Sequence, residues 1–127
     1  MVVFVIATLC TVLSISPLQL DAGYKQNYTI VYASISAYTA SDDECGRSDG
    51  MTASEVIATP KRTIAMENIP FGTSVDIEGE DEDYVVEDRF GDESQSEIYI
   101  DKFVKTKDEA FDYGRQYKMV KIYSYNK

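Results

Sequence analysis

The chain has 127 residues, enough for one domain and too few for two. Its formal net charge is −10, from 12 basic against 22 acidic residues, which opposes association with nucleic-acid phosphates and with anionic lipid. His is absent, so Ser-His-Asp, Cys-His and imidazole-based zinc sites are excluded, and acid–base chemistry falls to Asp, Glu, Lys or Tyr.

Met1 to Leu13, MVVFVIATLCTVL, is an almost unbroken apolar run. It is too short for a bilayer core of about 30 Å, which takes roughly 20 helical residues. Followed by SISPLQLDAG, it matches the apolar part of a secretory signal, with Ala22 as the small residue for cleavage. Residues 1–22 are therefore expected to be a signal peptide and 23–127 a single mature domain, secreted or associated with the cell wall. A membrane contact is expected only through an uncleaved signal. The alternative is an N-terminal buried strand. Of the two cysteines, Cys10 lies in this run, so cleavage leaves Cys45 alone and no internal disulfide. Asp42, Asp43, Glu44 and Asp49 around Cys45 have the wrong sign to stabilise a thiolate nucleophile.

The body reads as short β segments separated by turn chemistry. In YTIVYASISAYT, from Tyr28, the residues Val31, Ala33, Ile35 and Ala37 alternate onto one face. Residues 41–50, SDDECGRSDG, form a polar loop. TIAM from Thr63 is a short strand, and Ile69-Pro70-Phe71-Gly72 a turn. Val75 and Ile77 alternate with polar residues, EGEDED at 78–83 is a solvated hairpin tip, and YVVEDRF returns. The acidic tip lacks the spacing of an EF-hand calcium loop. EIYIDKFV and the terminal KMVKIYSY add two strands. One helix is expected at about 106–117. Thr106 and Glu109 form a capping box, and Ala110, Phe111, Gly114 and Tyr117 share its apolar face. Six short strands and one helix fit a small closed barrel better than a sandwich, because closure removes the edges.

Four segments in this order resemble the three-aspartate family of peptidoglycan-cleaving proteins: AYTASDDECGRSDGMTAS, IAMENIPFGTSVDIEG, YVVEDRFG and EIYIDKF, with the trailing Ala110-Phe111…Gly114 helix. The resemblance spans about residues 35–125. It implies a mainly β fold, a six-stranded double-psi β-barrel related to the catalytic barrel of membrane-bound lytic transglycosylase A. Carried over position by position, the second and third family aspartates match Asp88 and Asp101, and Glu67 stands where the first is usual. The family's Gly-Gly and Lys-Gly loop is replaced by Arg89 to Ser96.

The expected function is therefore lytic transglycosylase-like cleavage of peptidoglycan glycan strands, with no cofactor and no metal. Asp101 is the acid and base, Asp88 its electrostatic partner, and Glu67 a third carboxylate. Tyr38, Thr39 and Arg89 are the expected substrate contacts. The alternative is a non-catalytic wall-glycan or protein-binding module on the same barrel. Period two puts Asp88 on a face with Tyr84, Val86 and Phe90, and Asp101 on one with Tyr99 and Phe103. Carboxylates in such apolar surroundings are either proton donors or acceptors of backbone hydrogen bonds. Their carboxyl groups are expected roughly 5–9 Å apart, the range over which a pair flanks one glycosidic bond. Oligomeric state has no signature in the sequence.

Overall fold

The computed structural model describes residues 27–45, 48–91 and 97–124. Six strands close into a mixed barrel in the order β1-β5-β2-β4-β3-β6. They are β1 (Tyr28–Tyr38), β2 (Thr63–Ala65), β3 (Ser74–Ile77), β4 (Tyr84–Asp88), β5 (Tyr99–Phe103) and β6 (Gln116–Tyr123). Two helices accompany them, the single turn α1 (Asp42–Cys45) and α2 (Lys107–Tyr113). The closed six-stranded barrel expected from the sequence is thus present, with the strands where alternation placed them. The run 1–13 and the cleavage position at Ala22 lie outside the described residues.

The core follows from that alternation. Ala33 and Ile35 of β1, Ile64 of β2, Val75 and Ile77 of β3, Tyr84 and Val86 of β4, Ile100 of β5 and Val120 of β6 are buried together with Met66. Each strand gives its inward set and leaves the intervening residues to the other face. The longest ladder is antiparallel β1·β6, in register from Tyr28↔Tyr123 to Ile35↔Gln116. Parallel pairing joins β1 to β5 and β2 to β4. Pro70-Phe71-Gly72 turns as expected: Gly72 has φ 86°, and its N–H donates to the Val86 carbonyl.

Three expectations need correction. The helix ends at Tyr113, not at 117, because Gly114 caps it with φ 61° and Tyr117 already belongs to β6. Its N-terminus is as expected: Thr106 and Glu109 exchange both capping-box bonds. Second, Phe111 does not face the barrel; it is 83% exposed, and Tyr113 makes the inward contact instead. A helix of seven residues turns too little for a face assigned over twelve. Third, the acidic segment is not wholly solvated. Glu80 turns inward, where Tyr84 and Lys102 donate to Oε2 at 2.5 and 2.7 Å. Tyr113 and Lys118 donate to Oε1 at 2.8 and 3.3 Å. This cluster closes one part of the barrel and anchors α2 to it.

Candidate functional site

β2 organises the site. Its Ala65 pairs with Asp101 of β5 on one side and with Asp88 of β4 on the other. Cross-strand partners share a face, so the two aspartates flank one small side chain at two strand spacings, about 10 Å between Cα atoms. Ala65 itself is buried, 3% exposed, between the two carboxylates. The core side chains of β2 and β5, Ile64 and Ile100, alternate to the opposite face.

Asp88 reaches this position through an irregularity. The β2·β4 register runs Thr63↔Val85 and Ile64↔Val86, then shifts so that Ala65 meets Asp88. Glu87 is the extra residue, and it is held by Arg62 and by the Thr63 hydroxyl. Strict period two would have carried Asp88 onto the core face of Tyr84 and Val86. The bulge re-aims it toward Asp101.

Strand β1 then supplies one hydroxyl to each acid. Ser36, paired with Asp101, donates to its Oδ1. Tyr38, two residues on and therefore on the same face, donates to Asp88 Oδ2 at 2.6 Å. The other oxygen of Asp88 accepts the backbone N–H groups of Ala53 and Arg89 at 2.8 and 2.9 Å. Asp88 is therefore an acceptor on both oxygens. One oxygen fixes the loop at 53 to the barrel, and the other faces the hydroxyl of Tyr38.

Aromatic pairs bound the site at two ends. Tyr38 meets Phe103 edge-on, with centroids 5.5 Å apart, and Phe90 meets Tyr99 edge-on at 5.9 Å. Tyr99, Asp101 and Phe103 share a face, as period two required.

Of the remaining expected site residues, the side chains of Glu67 and Arg89 are engaged with the backbone. Glu67 Oε1 accepts the N–H groups of Phe90 and Gly91 at 2.8 and 2.9 Å, holding the chain that leaves β4. The Arg89 guanidinium donates to the carbonyls of Met66, Asp88 and Ile69 and lies 3.8 Å from the Phe71 ring centroid. It ties the 69–72 turn to the end of β4. Thr39 is buried and donates to the Ser41 hydroxyl at 3.2 Å. Sequence reasoning missed Ser36 and Ala65. Both belong to strands it located, but their importance depends on register, which no single strand encodes.

Among the described residues, no cluster of three or more His, Cys, Asp and Glu is arranged to hold a metal ion, and no helix is long and apolar enough to cross a membrane. No family model matches the chain, and no curated protein matches it in sequence.

Proposed function

We propose that this protein cleaves the glycan strands of peptidoglycan by a lytic transglycosylase-type reaction, in the exported compartment that its apolar N-terminal run suggests. The observation that carries this reading is the placement of Asp88 and Asp101 on either side of Ala65, each bonded to a hydroxyl of the same face of β1. Two carboxyl groups across one small residue suit a glycosidic bond lying between them. The resemblance to the three-aspartate family supplies the substrate class.

In this reaction the protonated carboxyl of Asp101 gives its proton to the glycosidic oxygen as the C1–O bond breaks. Positive charge gathers at C1 and the ring oxygen, and the negative Asp88 faces it. The sugar's own C6 hydroxyl attacks C1, and its proton passes to the Asp101 carboxylate. The products are one chain with a new free hydroxyl and one with a 1,6-anhydro ring. Asp101 regains its starting state and no water is consumed, which fits a chain without His.

A binding module on the same face is the second reading, and one observation favours it. Glu67 and one oxygen of Asp88 are committed to backbone N–H groups, as in a site built for shape rather than turnover. Digestion of purified cell wall, with the soluble products analysed for anhydro-sugar ends, separates the two. Anhydro ends made by the wild type and lost in Asp101→Asn support the enzyme. Retained wall binding with no products supports the module.

A further inference from the structure

The face of β1 that carries Ser36 and Tyr38 continues past the carboxylates. Two and four residues back along it stand Ser34 and Tyr32. Ser34 is flanked across the sheet by Tyr99 of β5 on one side and Tyr117 of β6 on the other. Tyr32 and Tyr117 stack with centroids 6.2 Å apart and planes at 23°. Both rings nonetheless stay largely in solvent, 64% and 54% exposed. With Ser34, Glu97 and Ile98 they line a cavity of about 310 Å³. At its floor Ser34 is only 3% exposed, and its hydroxyl has no hydrogen-bond partner.

Those features belong together. A buried hydroxyl without a partner is a standing cost, which proteins accept mainly where a ligand or a bound water completes the bond. Exposed tyrosine rings offer flat apolar faces with polar rims, and the Glu97 carboxylate is an acceptor. A mixed lining of aromatic faces, hydroxyls and one carboxylate suits a sugar ring, which has apolar faces and a hydroxyl edge. The net charge of −10 argues against a phosphate-bearing ligand in the same place.

We propose that this cavity is a second sugar subsite, holding one ring of the glycan strand whose scissile bond lies over Ala65. The inference rests on the glycan reading of the Asp88–Asp101 face. From Tyr32 to Ser36 the strand rises about 13 Å, so one glycan of a few sugars reaches both places. Tyr32 and Tyr117 are the stacking platform. Ser34 is the hydrogen-bonding floor, uncovered as the flanking rings part around the ligand.

The test is calorimetric titration of Asp101→Asn, which binds without turnover, with soluble wall-glycan oligosaccharides of increasing length. Affinity should climb with length. Tyr32→Ala and Tyr117→Ala in that background should remove the climb and weaken the longest ligand about tenfold, the equivalent of about 1.4 kcal/mol. Ser34→Ala should also weaken the longest ligand, while the free protein melts at the same temperature or higher, because the hydroxyl it loses had no partner. A length dependence unchanged by the tyrosine variants would overturn the subsite while leaving the reading of the carboxylates standing on wall cleavage. A lower melting temperature for Ser34→Ala would also overturn it, since the hydroxyl would then be structural. No binding at any length overturns the subsite; if the wild type also releases no anhydro ends, the glycan reading falls with it.

Discussion

Asp101 and Lys102 are consecutive residues of β5, and they belong to opposite chemistries. Lys102 turns to the core side and joins Glu80, Lys118, Tyr84 and Tyr113 in a cluster where charge meets charge. Asp101 turns the other way, toward Ser36 and the face it shares with Asp88. Glu80 and Lys102 have side chains only 10% and 11% exposed, and four donors converge on one carboxylate. Asp88, by contrast, is held by one tyrosine hydroxyl and two backbone N–H groups; among the described residues no Lys or Arg side chain reaches its carboxylate. A carboxylate saturated by buried ammonium groups is bound to the fold and poorly placed to exchange a proton. Asp88 and Asp101 lie on a half-exposed face, bonded there to hydroxyl and, for Asp88, backbone N–H donors. The two faces of one strand thus separate stability from the proposed chemistry, and substitutions can test that separation.

The largest effect should come from Asp101→Asn. The amide keeps the shape and loses the transferable proton, so release of anhydro ends should drop by about 10²–10⁴-fold, the usual contribution of general acid–base catalysis. The urea midpoint should hardly move. A loss of folding of the size expected for substitutions at the Glu80 cluster would place Asp101 among the structural acids.

Lys102→Met should do the reverse. Removing one partner of a buried pair costs about 3 kcal/mol, here softened by Lys118 and the two tyrosines. Urea unfolding should show the loss, and wall cleavage by the folded fraction should persist because Asp101 and Asp88 are untouched.

The pH dependence of unfolding sharpens the same contrast. Burial pushes the Glu80 carboxyl up, but hydrogen bonds from Lys102, Tyr84 and Tyr113 more than offset it and hold the pKa at about 2, against an ordinary 4.5. The unfolded chain then binds more protons between these values, so stability rises with pH there. The contribution, roughly 3 kcal/mol, is fully present above pH about 4.5 and lost as pH falls through about 2. Burial and the Glu80 carboxylate raise the pKa values of Tyr84 and Tyr113 well above the usual 10. Their contribution is present below pH 10 and fades as pH rises through the folded-state values. Glu80→Gln should flatten the acid limb measured by urea unfolding at a series of pH values. An acid limb unchanged in Glu80→Gln would assign it to other carboxylates.

The Glu80 cluster was also the part least visible in the sequence. EGEDED has the composition of a solvated tip, and nothing local distinguishes Glu80 from Glu78 or Glu82. Only closure of the barrel brings Lys102 and Lys118, 22 and 38 residues away, to that one position. The β strands were legible because alternation is local: Ala33 and Ile35, Val75 and Ile77, and Tyr84 and Val86 are buried as their spacing required. The Thr106–Glu109 capping box was legible for the same reason, whereas the end of the helix depended on Gly114 being read as a cap rather than a face residue. For the site, sequence motifs marked Asp88, Asp101 and Tyr38. Ala65 and Ser36 stayed hidden because neighbouring strands, including a bulge at Glu87, decide which residues meet.

The smallest effect, and the finest probe of the comparison, is expected from Tyr38→Phe. Its ring packs edge-on against Phe103, and its hydroxyl donates to Asp88 Oδ2. Phe keeps the ring and the packing, and the hydrogen bond to Asp88 is lost. Asp88 retains the backbone N–H groups of Ala53 and Arg89 on its other oxygen, and the freed oxygen lies at a half-exposed face where water replaces the hydroxyl. Stability should therefore fall by less than about 1 kcal/mol, the net worth of an ordinary hydrogen bond. Wall cleavage should fall further, about tenfold, because Asp88 loses the group that aims it across Ala65 toward the scissile bond. Tyr84→Phe makes the matching change at the other face, removing one hydroxyl from Glu80. There the order should invert, with the larger loss in the urea midpoint and little change in cleavage. Equal losses of stability in the two variants, with cleavage unaffected in both, would show that the two carboxylates serve one structural purpose on both faces of the strand.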